Sequence, residues 1–581
     1  MCTIIFVLLG YSFLFEGTKA SEDHPVVTTS QGRIVGKRLE FSPFDPALRR
    51  SVDAYLGIPY AEAPVGPLRF KPPVAKSWSG ELQATKLGNR CPQPPLPLGE
   101  NITMAGSFDE DCLCVDVFVP QPGPPNSAVL VYIHGGSFMI GAGVAGGVYP
   151  IATAAVGNVI VVTLNYRLGA LGFLSTNDDV IRGNMGLLDQ RLAMEWVRDN
   201  IKAFGGDPTR VAIFGESAGA ASLGLHMLSP GSRGLYRGAI LESGNAAAPW
   251  ATIQGSKARG RAFTLGKLVG CERQTSEDLL ECLQQLEGFD KIIENQHEKS
   301  LSESGGGALP FVPVVDGEVI PADPKDLYEQ GAINDAVSII GANADEGMFF
   351  IKPFFPDNIY KAPFVDSYSF DVYVRCFLAL IVSPELIVAD AAKMMYINTT
   401  CANAPDCDYL QSLSQVLGDA MFVCPGVKTA KAFTKAGRKV YHYNMKYVAT
   451  TTLMGNNWTK AMHGDDLIFI GGLPLYPSAR WSFTDDEALM SIQTIKYWAN
   501  LAKTGNPNLS SLTGEQGEEG KLPEWPLFTL EEMAYKDLSP SMGNGRGIKM
   551  RECLMWNEFI PKLVQIAEEA KTCYEAEDVR L

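Results

Sequence analysis

Basic clusters, long apolar runs and histidines are all scarce in this chain of 581 residues. Lysine and arginine never gather into a long run and the net charge is −16, which excludes the continuous cationic surface that a nucleic acid needs. The acidic excess favours solubility and the attraction of cationic ligands instead. Past the first stretch, no uncharged apolar run is long enough to cross a bilayer, and the C-terminal EAEDVRL is neither a lipid-anchor tail nor a retention signal, so no stable membrane anchor is expected. Zinc is disfavoured because Cys112 and Cys114 are spaced C-x-C with no histidine pair nearby at ligand spacing. No internal repeat and no low-complexity linker divides the sequence.

What is present begins with MCTIIFVLLGYSFLFEGTKA, an apolar run too short for a membrane span that ends in Thr18 and Ala20 at the −3 and −1 positions of a cleavage site. Residues 1–20 are read as a signal peptide that lacks the usual basic start, with a signal anchor as the alternative, and residues 21–581 as one secreted, extracellular domain. Sequons at Asn101, Asn398, Asn457 and Asn508 fit a glycosylated surface. There are twelve cysteines, one of them Cys2 in the leader, and an oxidising compartment lets the remainder pair. The remainder is odd, so at least one thiol is left over.

Apolar, β-branched runs bounded by glycine and proline recur: AVLVYI to Ile133, VIVVTL to Leu164, VAIF to Phe214, AIL to Leu241 and AVSII to Ile340. Between them lie helical patterns, notably Leu187 to Phe204 with Leu188, Leu192, Trp196 and Val197 on one face. Strands without clean alternation, interleaved with helices, predict an α/β fold whose mostly parallel sheet is covered on both sides. The stretch from Asp345 to His463 reads as insertion helices, and the segment from Ser510 as a surface loop.

The run VAIFGESAGAASLGLHML, Val211 to Leu228, breaks a strand at one glycine, presents a serine and turns at once into a helix. GESAG matches G-x-S-x-G in the strand-to-helix context that holds a nucleophile out of a tight turn. An N-cap serine is the bland alternative, but it does not require both flanking glycines. A serine nucleophile needs a base, and six histidines permit elimination. In this architecture the acid and then the histidine follow the serine. His24 and His134 come too early, His226 lies on the next helix, His297 sits in polar ENQHEKS, and His442 is inside strand-like VYHYNM. That leaves His463, in the loop AMHGDDLIF. For the acid, GANADEG follows a strand and offers Asp345 or Glu346, which spacing does not separate. VYIHGGSF supplies a His-Gly-Gly turn for an oxyanion hole, with Ala218 after the serine adding another N–H. GAGVAG, Gly141 to Gly146, imitates a dinucleotide loop, yet no Asp or Glu follows within the next twenty residues to hold a ribose, and Pro150 interrupts the start of a helix.

With these motifs in place, the chain resembles the type-B carboxylesterase and cholinesterase family of the α/β-hydrolase fold. The resemblance rests on YLGIPYAEAPVGPLRF, EDCLCVDVFVP, HGGSF, NYRLGALGFL, FGESAGA, FVPVVDG, DEGMFF, HGDDL and WNEFIPKL, spread over nearly all of the mature chain. It implies a triad of Ser217, Glu346 and His463, an oxyanion hole from Gly136, Ser137 and Ala218, and supporting roles for Glu216 and Ser243. It also implies disulfides Cys91–Cys112, Cys271–Cys282 and Cys424–Cys553. Cys401 and Cys407 can close a small extra loop, Cys114, Cys376 and Cys573 have no family partner, and the C-terminal helix can pair two subunits as in relatives.

The sequence departs from the family's pattern in two places. The oxyanion turn usually carries a third glycine, and here that position is Ser137. Between Cys91 and Cys112 there is no tryptophan to act as the cation–π platform of choline esterases. Trp250, Phe349 and Phe350 match aromatic gorge positions, while small residues around Gly307 and Leu309 imply a roomier acyl pocket. The resemblance thus implies a general carboxylesterase acting on a small-molecule ester without metal or cofactor. A cholinesterase-like enzyme or scavenger, and a non-catalytic adhesion homologue, are the alternatives.

Overall fold

The computed structural model describes residues 24–94, 107–144, 150–298, 309–355, 361–382, 386–402, 404–452, 455, 458–509 and 522–578. Eleven strands form one sheet: β1 (Lys37–Phe41), β2 (Arg50–Pro59), β3 (Cys114–Gln121), β4 (Ser127–Ile133), β5 (Ile160–Leu164), β6 (Gly206–Glu216), β7 (Gly238–Glu242), β8 (Val337–Asn343), β9 (Val440–Met445), β10 (Ala534–Asp537) and β11 (Asn544–Arg546). From edge to edge the order is β1-β2-β3-β5-β4-β6-β7-β8-β9-β10-β11. The run from β5 to β10 is parallel, and antiparallel pairs close both edges. A second sheet joins Val26–Thr28, Arg33–Val35 and Glu81–Gln83.

Strand β4 shows why its apolar run does not alternate with polar residues. Val129, Val131 and Ile133 enter one core cluster and Ala128, Leu130 and Tyr132 the other, so each face of the sheet needs its own apolar set. This is the α/β-hydrolase arrangement expected, with helices on both sides. Strand β9 falls inside the stretch read as insertion helices. The helices there, including Ser367–Ile381, Leu386–Tyr396 and Leu410–Gly418, gather a third apolar cluster.

Two sequence expectations about helices need correcting. Pro150 is itself helical, within helix α1 (Pro150–Gly157), rather than interrupting it. Helix α2 (Met185–Asn200) leaves Leu188 and Leu192 half-buried and buries Asp189 and Gln190 instead. Asp189 holds the Arg167 guanidinium at 2.7 and 2.8 Å, and Gln190 bonds the His226 imidazole at 2.9 Å. A pattern of apolar residues does not register buried polar partners of this kind.

Among the described residues, four disulfides join Cys91–Cys112, Cys271–Cys282, Cys401–Cys407 and Cys424–Cys553. Cys114 is a buried free thiol and Cys376 an exposed one. The side chain of Cys573, the sequons Asn101 and Asn457, Gly307 and the loop 510–521 lie outside the described residues. Among the described residues no helix is long and apolar enough to cross a membrane.

Candidate active site

Strand β6 ends at Glu216 and helix α3 (Ala218–Leu228) starts at once, with Ser217 between them at φ 57° and ψ −121°. This left-handed backbone is what the turn imposes on the serine. Its N–H donates to the Glu242 carbonyl at 2.9 Å and its own carbonyl accepts from Ala221 at 2.9 Å, so the strained residue is held from both sides. A β-carbon on Gly219 would lie 2.1 Å from the Ile133 carbonyl oxygen, which explains the second glycine of the motif as a close helix-to-strand approach. Ser217 is only 8 % exposed, less open than the strand-end reading expected, and its hydroxyl bonds no described residue.

Glu346 follows β8 and His463 follows β9 after a loop. His463 Nδ1 lies 2.6 Å from Glu346 Oε2, while Glu346 Oε1 accepts from Ser243 Oγ at 2.5 Å and from the Asn343 N–H at 2.6 Å. Both carboxylate oxygens are thereby fixed, and the imidazole can turn little. Asp345 points elsewhere, accepting from Gln411 Nε2 at 2.6 Å and Ser414 Oγ at 2.7 Å. His463 Nε2 stands 3.1 Å from Glu216 Oε1, too poorly aligned to count as a hydrogen bond. It makes no bond to Ser217; such contacts often tighten only around a bound substrate.

Electrostatically, the imidazole is held between two carboxylates. Burial works to depress its pKa, but Glu216 and Glu346 outweigh that and raise it to about 9. Burial also pushes Glu216 up to about 8, opposed by His463. Behind them Asp466 accepts from the Tyr443 hydroxyl at 2.7 Å and from Asn343 Nδ2 at 3.2 Å.

The glycine-rich turn after β4 packs directly on the serine elbow. A β-carbon at Gly135 would meet the Glu216 carbonyl at 2.5 Å and Ser217 Cβ at 3.1 Å. Gly136, Ser137 and Phe138 run through φ of 102°, 59° and 61°, so Ser137 adopts the left-handed backbone that a third glycine would take without strain. The N–H groups of Gly136, Ser137 and Ala218 donate to no described residue. His134 braces the turn: its ring stacks 4.3 Å from Tyr166, its Nδ1 is 2.8 Å from the Gly135 carbonyl, and burial lowers its pKa to about 4.

A model described as the carboxylesterase family matches residues 23–556. The chain belongs to that family. Membership brings with it the family's general chemistry, hydrolysis of small-molecule esters.

Aromatic rings wall this carboxylesterase-family site. Phe349 and Phe350 lie 5.6 and 5.5 Å from the His463 ring. Trp250 packs 6.4 Å from Phe138 and 5.6 Å from Phe422, with its indole N–H on the Met421 carbonyl at 3.0 Å. Leu309 is half-buried, and its carbonyl receives the Arg261 guanidinium at 3.0 Å. Sequence reasoning missed Phe422, whose ring is 4.4 Å from His463. It sits in a π-helical turn, Asp419–Val423, which no apolar period announces.

The other histidines are otherwise engaged or remote. His226 spans Ser232 Oγ at 2.8 Å and Gln190 Oε1 at 2.9 Å, and burial lowers its pKa to about 3. His442 lies mid-strand in β9, and His24 and His297 belong to other segments.

Proposed function

We propose that this chain is a general carboxylesterase that hydrolyses carboxylic esters through an acyl-enzyme on Ser217. The observation that carries this reading is the meeting of an elbow serine, a carboxylate-held imidazole and three undonated N–H groups at one end of the parallel strands. His463 removes the Ser217 proton as the hydroxyl oxygen attacks the ester carbonyl. The oxyanion is received by the N–H groups of Gly136, Ser137 and Ala218. His463 then gives the proton to the leaving alcohol, and water repeats the sequence on the acyl-enzyme. Glu346, oriented by Ser243, keeps the tautomer and stabilises the imidazolium. This chemistry needs neither metal nor organic cofactor.

The general-esterase reading is favoured over a choline esterase by the lack of tryptophan between Cys91 and Cys112. Phe349, Phe350, Phe422 and Trp250 offer apolar contact to an acyl or alcohol group instead. Export after removal of residues 1–20 and a single domain over 21–581 accord with the four disulfides. Asn398 is the better placed of the two described sequons: its Oδ1 accepts from Thr400 and its amide nitrogen bonds no described residue, whereas the Asn508 amide donates to the Trp525 carbonyl at 3.0 Å.

The test is titration of the purified mature protein with a fluorophosphonate while hydrolysis of nitrophenyl butyrate and butyrylthiocholine is followed. Stoichiometric labelling with much faster turnover of the nitrophenyl ester is expected. Labelling with almost no turnover would assign a scavenger, and no labelling a binding protein.

A further inference from the structure

A cavity of about 120 Å³ opens between β9 and two helices, α4 (Cys424–Lys435) and α5 (Met550–Leu554). Its wall is mostly apolar, with Val427, Phe528, Met533, Met550 and Leu554 around one imidazole, His442. Met550 and Leu554 are 56 % and 63 % exposed and form the mouth, whereas His442 is 3 % exposed. Strand alternation puts His442 here: Tyr441 and Tyr443 enter the core on the other face, and Val440 shares the His442 side.

The His442 side chain makes no hydrogen bond to any described residue; only its carbonyl is used, by the Trp525 indole at 3.0 Å. Burial lowers its pKa to about 4, so at neutral pH the ring offers one N–H and one bare nitrogen. Neither ring nitrogen is sealed from the cavity, so a group that enters it can replace water as the hydrogen-bond partner of the imidazole. The ring of Phe528 stands edge-on to His442 at 5.4 Å and 87°, and the thioethers of Met533 and Met550 suit an aromatic neighbour. Lys431 is the lone formally charged residue among the described lining residues. A carboxylate reaching past it to His442 would exchange water for an apolar wall. An engineered apolar cavity of about 150 Å³ accepts benzene, so one ring with a hydroxyl is the right scale for this open-mouthed space.

We propose that this cavity binds a small phenol, its ring among Phe528, Met533 and Val427 and its hydroxyl donating to the bare nitrogen of His442. The site is separate from the proposed triad and uses none of its residues.

The experiment is calorimetric titration of phenol into the full mature chain after fluorophosphonate has capped Ser217. Fluorobenzene, a ring of similar size without a hydroxyl, is run beside it. Saturable binding of phenol at one site is expected, weaker by about ten-fold for fluorobenzene and for His442→Leu. Met550→Trp, which plugs the mouth from an exposed position, should abolish binding. Unimpaired ester hydrolysis by the uncapped variants shows that each has folded. Absence of saturable heat, or phenol binding unchanged in Met550→Trp, would overturn the proposal. Equal affinity for phenol and fluorobenzene would also overturn it, and this comparison stands even where His442→Leu does not fold.

Discussion

Nε2 of His463 stands 3.1 Å from Oε1 of Glu216, the residue immediately before Ser217, while Nδ1 lies 2.6 Å from Glu346. Two carboxylates on one ring favour its charged form, which raises its pKa to about 9 in spite of burial. A general base acts only when neutral, so with His463 in its proposed role hydrolysis is expected to fall as pH drops through this raised value rather than through the ordinary one for histidine, read from a pH–rate profile.

Glu216→Gln removes one of those carboxylates and lowers the imidazole pKa. The acidic limb of kcat/KM is therefore expected to move to lower pH, read from a pH–rate profile with a nitrophenyl ester. A limb that stays put or moves upward would show that Glu216 does not set the titration of His463.

Ser217→Ala deletes the proposed nucleophile while leaving the elbow backbone intact. Fluorophosphonate labelling should vanish and kcat should fall by about 10⁴-fold or more. Circular dichroism and the melting temperature should remain close to wild type, since the hydroxyl bonds no described residue.

Glu346→Gln and Asp345→Asn test which of two adjacent acids serves His463. The first should lower kcat by about 10³- to 10⁴-fold by losing the charge opposite the imidazolium. The second should leave kcat within a few-fold and weaken only the contacts to Gln411 and Ser414, by about 1 kcal/mol.

Gly219→Ala forces a β-carbon to within 2.1 Å of the Ile133 carbonyl, backbone that cannot yield. A loss of about 1–3 kcal/mol is expected in urea unfolding, with activity falling alongside. Gly426→Ala is the control: its nearest neighbour would be Ile340 Cγ2 at 4.0 Å, inside helix α4. That change should stabilise the chain by about 0.5–1 kcal/mol.

The five parallel strands β4 to β8 were legible because each carries apolar residues to two cores at once, a demand that leaves an unbroken run such as AVLVYI. The elbow was legible because its glycines answer to backbone distances that no side chain can meet. Asp345 and Glu346 could not be told apart by spacing, since both follow the same strand and only the direction of the turn sends one towards His463. Phe422 was invisible because a π-helical turn shifts the residues off the helical period. The approach of His463 Nε2 to Glu216 depends on ring orientation and lies beyond what a motif encodes. The same is true of His442: a strand pattern reports which face it occupies but not that the face opens onto a cavity.

The site is stitched together from distant parts of the chain. Ser243 and Glu346 are 103 residues apart, and Glu346 and His463 are 117 residues apart. Local helices can form early on refolding, but none of them carries the whole arrangement. Loop closure orders the assembly: the elbow of Ser217, built within a single β–α segment, can exist long before His463 arrives. With Ser217 and His463 in their proposed roles, reactivity towards a fluorophosphonate, sampled during refolding, is expected to mark the closing of these long loops and to serve as a clock for the last stage of the fold.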